Sequence, residues 1–169
     1  MELEEAIHSR RTHKVFGSEP VAQELLEELF ELARWAPNHH VTNPWRFRVL
    51  GPQSLDALKA AAGPDAARKL DRAPTLVAVT QVHADDPAQD EDDLCAVACA
   101  AYIVLLAAHG RGLVGYWRTP GVLRTDAGRA ACGIGADERF VGLLHLGPAR
   151  QPAKVKERAP VQSFTTYLD

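Results

Sequence analysis

Apolar residues fall along the chain in two rhythms, and changes of rhythm mark the elements. Leu25, Leu29, Leu32, Ala33 and Ala36 recur at spacings of three and four. That is one face of a helix, so residues 22–35 are predicted helical. Pro37 ends it, because the residue before a proline is pushed out of the helical region. Leu3, Ala6 and Ile7 repeat the pattern over residues 2–9. Trp45, Phe47 and Val49 alternate with Arg46 and Arg48, the period-two signature of a half-buried strand. Residues 76–80 and 140–146 are short apolar runs suited to buried strands, and residues 113–117 form a further strand. Residues 53–62, 65–72 and 124–132 read as short helices, with Gly63-Pro64 breaking the first from the second.

Residues 92–109 are apolar nearly all round, which predicts either a central core helix or one shared with a dimer interface. The acidic run from Asp85 to Asp93 reads as the start of that helix, where carboxylates suit the positive end of the dipole. A calcium loop is rejected, because Asp90 and Ala96 stand where Gly and Glu are required. Strands and helices are interspersed without a regular βαβ rhythm. The expected class is α+β (an α/β-type sandwich), with a mixed central sheet flanked by helices.

At 169 residues the chain fits one domain spanning 1–169. A formal net charge of -3 gives no field to hold nucleic acid or an anionic membrane. The longest apolar run, Cys95 to Ala108, is shorter than the roughly 20 residues of a membrane span. The acidic start Met1-Glu2-Leu3-Glu4-Glu5, with no apolar signal region after it, points to the cytoplasm. Three cysteines do not make a disulfide framework. Cys95 and Cys99 share a helix face, and core packing is expected for them before any redox or metal role.

Gly110-Arg111-Gly112-Leu113-Val114-Gly115 matches G-x-G-x-x-G but follows a helix and opens a strand, the reverse of a dinucleotide-binding turn. Gly110 is read instead as a left-handed helix C-cap. No metal site is expected at His39 and His40, which lack partner ligands at helpful spacing. Three other segments carry more. Arg10-Arg11-Thr12-His13-Lys14 crowds two guanidiniums, a hydroxyl and an ammonium, a set suited to phosphate. Trp35-Ala36-Pro37-Asn38-His39-His40 offers flat faces with amide and imidazole groups, while Trp45 beyond it is assigned to the core. Gly115-Tyr116-Trp117-Arg118-Thr119 ends a strand with two aromatics, a guanidinium and a hydroxyl. Together they describe a planar, anionic ligand.

An R-R-[ST] after a short helix, an A-P-x-x-x-x-x-x-P-W after the next, and a late G-x-W-R-[ST] resemble the nitroreductase family, most closely its minimal, YdjA-like FMN-dependent branch. The resemblance runs from Ile7 to Tyr167. It implies an obligate homodimer with one FMN at each of two subunit-interface sites. It also implies electron transfer from NADH or NADPH to a small organic acceptor such as a nitroaromatic or quinone. By position, Arg10, Arg11 and Thr12 would contact the FMN phosphate and ribityl chain. Trp35 and His39 would lie near the flavin, His39 reaching in from the partner subunit. Trp117, Arg118 and Thr119 would form the remaining wall and help hold the phosphate. No catalytic side chain is assigned, because the flavin carries the chemistry.

Two departures stand out. Thr12 replaces the commoner Ser, and Trp35 stands where relatives can carry Arg. The segment between the two sheet regions is short, so the resemblance implies no counterpart of the substrate-shaping lid of larger relatives. Alternatives within the superfamily are reductive dehalogenation, flavin-consuming chemistry and a non-enzymatic flavin carrier. The tail from Gln151, with Val161, Phe164 and Tyr167 spaced along it, is expected to pack on the dimer partner, as is part of helix 92–109.

Overall fold

A computed structural model describes residues 1–152 and 157–169. The polar start of the expected tail falls partly on residues 153–156, outside the described residues. The elements follow in the order α1 (Leu3–Ser9), α2 (Gln23–Ala33), β1 (Trp45–Val49), α3 (Pro52–Ala62), α4 (Pro64–Ala67), β2 (Thr75–Val82), α5 (Pro87–Gly110), β3 (Leu113–Arg118), α6 (Asp126–Ala131) and β4 (Glu138–Pro148). The acidic run does open α5. The Asp86 side chain caps it by accepting from the Gln89 amide at 2.9 Å, and Pro87 occupies the first turn.

The strands form one sheet in the order β1-β2-β4-β3, every neighbour antiparallel. The fold is α+β as expected. The parallel component of the expected mixed sheet is reduced to one bridge, Thr12 to Gly115, on the outer edge of β3. Two cores form, one on each face. Leu26 and Leu29 of α2 and Val97 and Val104 of α5 pack on Val77, Val79, Leu144 and Leu146. On the other face Leu58, Leu70, Leu123 and Phe140 pack on Leu76, Ala78 and Leu143. Leu143 and Leu144 thus go to opposite faces, as strand alternation requires.

Several sequence expectations need correction. The buried face of α2 is Leu26, Leu29 and Ala33, with Leu32 exposed, so the stripe is rotated by about one residue. Gly110 remains helical; the left-handed residue is Gly112 (φ 78°), two residues later. Residues 65–72 hold only the short α4. Cys95 and Cys99 are exposed, because Ala96, Val97, Ala100, Ala101 and Val104 take the sheet-facing side of α5. Only Cys132 is buried.

At 24 residues, α5 is long and apolar enough by length and composition to cross a membrane. Its capped start extends it beyond the apolar run read from the sequence. It is nonetheless half engaged in the core, and it buries Asp93. Its outer face carries an apolar stripe, Leu94, Cys95, Ala98, Cys99, Tyr102 and Leu106, partly or fully exposed. The described tail is exposed throughout, with Phe164 at 70% and Tyr167 at 93%.

Candidate functional site

The basic strip after α1 lies along the outer edge of β3. The His13 amide donates to the Gly115 carbonyl at 3.1 Å, and Phe16 bridges Ala149. The segment is therefore extended, and its side chains diverge. Arg11 and His13 line an open cavity of about 950 Å3 with Ser9, His109 and Arg150. The Arg10 guanidinium lies 5.7 Å from the Tyr102 ring of α5, and the Lys14 ammonium 5.9 Å from the Tyr116 ring. Thr12 is exposed.

The strip is short of partners. Nε of Arg10 and Nε of Arg11 are both buried with no hydrogen-bond partner. Buried donors are almost always satisfied, so each of these two guanidinium nitrogens calls for an acceptor. Burial holds His109 below its ordinary pKa, and the Arg10 and Arg11 charges add to this against the opposing pull of Glu5. His13 is lowered by burial, then by His109 and Arg10. The local field is positive and suits an oxyanion.

The second predicted segment sits elsewhere. His39 Nδ1 lies 3.0 Å from Asp92 Oδ2, at the N-terminal end of α5. The His39 and His40 rings stack at 3.8 Å. Trp35 is 76% exposed, and its ring is 5.8 Å from the Arg34 guanidinium. Trp35, Asn38, Val41, Asn43 and Trp45 line a smaller cavity of about 280 Å3. Trp45 also packs against the α2/α5 core, as the sequence suggested.

The third segment is split by strand alternation. Trp117 packs on the α2/α5 side, with its indole N–H donating to the Val141 carbonyl at 3.3 Å. Arg118 points to the opposite face, donating to the Lys69 carbonyl at 3.4 Å. Burial lowers its pKa, Tyr116 opposes this, and Arg72 adds to it. Thr119 is exposed just past the strand.

Within one chain, then, the predicted residues do not converge. Arg10, Arg11 and Thr12 sit near the C-terminal end of α5, and Trp35 and His39 near its N-terminal end. From Asp92 to His109 is 17 residues of continuous helix, about 26 Å at 1.5 Å per residue. Lys14, Arg72, His109 and Arg150 also join the positive region. Lys14 was visible in the basic run; the other three come from remote segments with no local signal.

A family model described as the nitroreductase family matches residues 7–68. A Leptothrix cholodnii protein, described as a candidate NADH dehydrogenase/NAD(P)H nitroreductase, is 32% identical over 97% of this chain and 93% of its own length. The candidate NAD(P)H nitroreductase YdjA of Escherichia coli K12 is 26% identical over 99% and 100%. Among solved structures, a nitroreductase-like family protein from Bacillus cereus superposes with a TM-score of 0.89 at 23% identity, covering 99% of this chain and 96% of that one. A candidate nitroreductase from Exiguobacterium sibiricum, solved in complex with FMN, gives a TM-score of 0.85 at 16% identity, covering 99% and 98%. With near-complete coverage at 32% identity, and a fold shared along its length, the chain belongs to the nitroreductase family.

Proposed function

We propose that this protein is an FMN-dependent oxidoreductase, working as a homodimer, that passes electrons from NADH or NADPH to a small organic acceptor such as a nitroaromatic or quinone. The observation that carries the reading is the pair of buried, unpartnered guanidinium nitrogens on Arg10 and Arg11 beside the β3 edge. A flavin phosphate supplies the acceptors they lack. Arg10, Arg11 and Lys14 would neutralise it, and the Thr12 hydroxyl would donate one more bond. Arg118 would hold the positive potential from the other face of β3. Bound FMN supplies the two-electron chemistry; the protein's residues bind, orient and shield it.

The length of α5 supports the dimer if Trp35 and His39 meet the flavin. Residues about 26 Å apart on one helix cannot touch the same flavin ring and phosphate. Two α5 helices packed antiparallel about a two-fold axis bring the N-terminal end of one against the C-terminal end of the other. Trp35 and His39 of one subunit then reach the basic strip of its mate. The exposed stripe Leu94, Ala98, Tyr102 and Leu106 supplies an apolar seam. Charge agrees with this pairing. In that pairing Asp85, Asp86, Glu91 and Asp92 at one end of α5 would approach Arg10, Arg11 and Arg111 at the other.

The exposed tail with Phe164 and Tyr167 would pack on the partner. β1 forms one edge of the sheet, and beside it a cavity of about 390 Å3 is lined by Val21, Leu26, Phe30 and Val49. Cysteines without a bridge suit a reducing compartment, and we place the protein in the cytoplasm.

The test is a visible spectrum after adding FMN and desalting, followed by NAD(P)H oxidation with a nitroaromatic present. A retained flavin band with turnover is expected. Loss of all flavin on desalting overturns the reading; flavin without turnover by either nicotinamide leaves a flavin carrier.

A further inference from the structure

Among the described residues, three other than glycine have positive φ: His40 at 57°, Val41 at 52° and Asn43 at 50°. All three lie in one six-residue loop, 38–43. The left-handed region is unfavourable for any residue with a Cβ and most unfavourable for a β-branched one such as Val41. Backbone held there persists only where surrounding bonds over-determine it.

Those bonds converge on Asp93. Its side chain is on α5 and the residue is 2% exposed. Its Oδ1 accepts from Thr42 Oγ1 at 2.6 Å, from Gln89 Nε2 at 2.9 Å and from Asn38 Nδ2 at 3.3 Å. Asn38 carries the restraint onward, accepting from the Asn43 amide at 2.8 Å. None of the ion pairs among the described residues involves Asp93. Burying a carboxyl group against neutral donors alone is costly unless each donor is held in place. The neighbouring Asp92 fixes the ring of His39 from the same turn of α5.

We infer that Asp93 is a positioning residue for the flavin site. It presets loop 38–43 in a high-energy conformation so that His39 and the loop backbone meet the partner subunit's flavin without reorganising. This rests on the dimeric flavoenzyme reading above. Two adjacent side chains divide the work: Asp93 holds the loop backbone, and Asp92 sets the direction of the imidazole.

The test compares wild type, Asp93→Asn and Thr42→Val by amide hydrogen exchange, flavin circular dichroism and steady-state kinetics. Thr42→Val removes the shortest bond to Asp93 and guards against misfolding of the buried variant. Exchange at Val41 and Asn43, whose amides bond to Asn38, should accelerate at least about tenfold in both variants while core amides of α5 hold. The flavin dichroism should change and kcat fall by roughly tenfold to a hundredfold. FMN affinity should fall by less than kcat, because the phosphate is assigned to the basic strip and not to side chains of loop 38–43. Faster exchange with unchanged dichroism and kcat overturns the positioning role, as does unchanged exchange. Loss of protection across the whole chain in both variants overturns it too, by showing a general structural role. If wild type retains no flavin, the oxidoreductase reading falls by itself, and the exchange arm still decides whether Asp93 holds the loop.

Discussion

Gly142 lies flat against the indole of Trp117. A Cβ on Gly142 would come within 2.6 Å of the indole Cδ1 and 2.8 Å of Cε2. The contact exists because the β2–β4 register shifts between Val79 and Thr80, leaving Val141 as an extra residue on β4. The Val141 carbonyl is then free to accept the indole N–H.

This makes Gly142→Ala a sharp probe. The added methyl must expel the indole or shift β4, a cost of about 1–3 kcal/mol for overpacking. Chemical denaturation should show a lower midpoint, and tryptophan emission should change as the indole loses its site. Unchanged stability and emission would mean that Trp117 swings aside at no cost.

His145 sets an acid limit on stability. It is 0% exposed, and neither ring nitrogen has a partner. Burial, then the charges of Arg118 and Arg72, push its pKa down from 6.5 to about 4. A histidine depressed in the folded state is protonated first in the unfolded chain. Stability from this group is therefore complete above pH 6.5 and lost progressively as pH falls towards 4, by roughly 3 kcal/mol in all. Thermal melts from pH 7.5 to 4.5 should show the loss in wild type. His145→Leu should melt higher at pH 7.5 and lose less on acidification. An identical acid slope in the variant would place the sensitivity elsewhere.

Phosphate recognition is tested by charge removal. Arg10→Ala should weaken FMN binding by roughly 10- to 100-fold, the worth of one charge-assisted hydrogen bond. Binding should also weaken with salt. Arg118→Ala should weaken it as well, through the positive potential it supports. Unchanged FMN affinity in Arg118→Ala would leave that residue as a tether to the Lys69 carbonyl and nothing more. Equilibrium titration of apoprotein by flavin fluorescence decides both.

The α5 seam is tested by a charge at its middle. Ala98 lies near the midpoint of Pro87–Gly110. In an antiparallel helix pair it falls near the two-fold axis, so Ala98→Arg would oppose its own copy across the seam. The variant should run as a monomer by sedimentation and retain little FMN. A monomer with flavin fully bound would show that one chain builds the site alone.

Much of the fold was legible locally. The alternation of Trp45 and Phe47 and the three-four spacing on α2 report burial on one face, although Val49 and Leu32 are exposed, and the apolar runs at 76–80 and 140–146 report burial on both faces. The acidic run opening α5 was readable for the same reason, since capping is a local interaction. Local signals misled where rotation of a helix decided the outcome. Cys95 and Cys99 look like core residues by composition, yet small residues beside them bring α5 closer to the sheet and turn both cysteines outward.

The sequence by itself determined the element types, the basic strip at Arg10–Lys14 and the family motifs, because these depend on neighbours a few positions apart. Only the tertiary structure decided which of those residues share a site. Strand alternation sent Trp117 and Arg118 to opposite faces of β3, and the length of α5 held His39 far from Arg11 within one chain. Asp93, one carboxyl group in an acidic run, became the anchor of a strained loop because folding buried it opposite Asn38 and Thr42. Hydrogen bonds across more than fifty residues leave no periodic trace in a sequence.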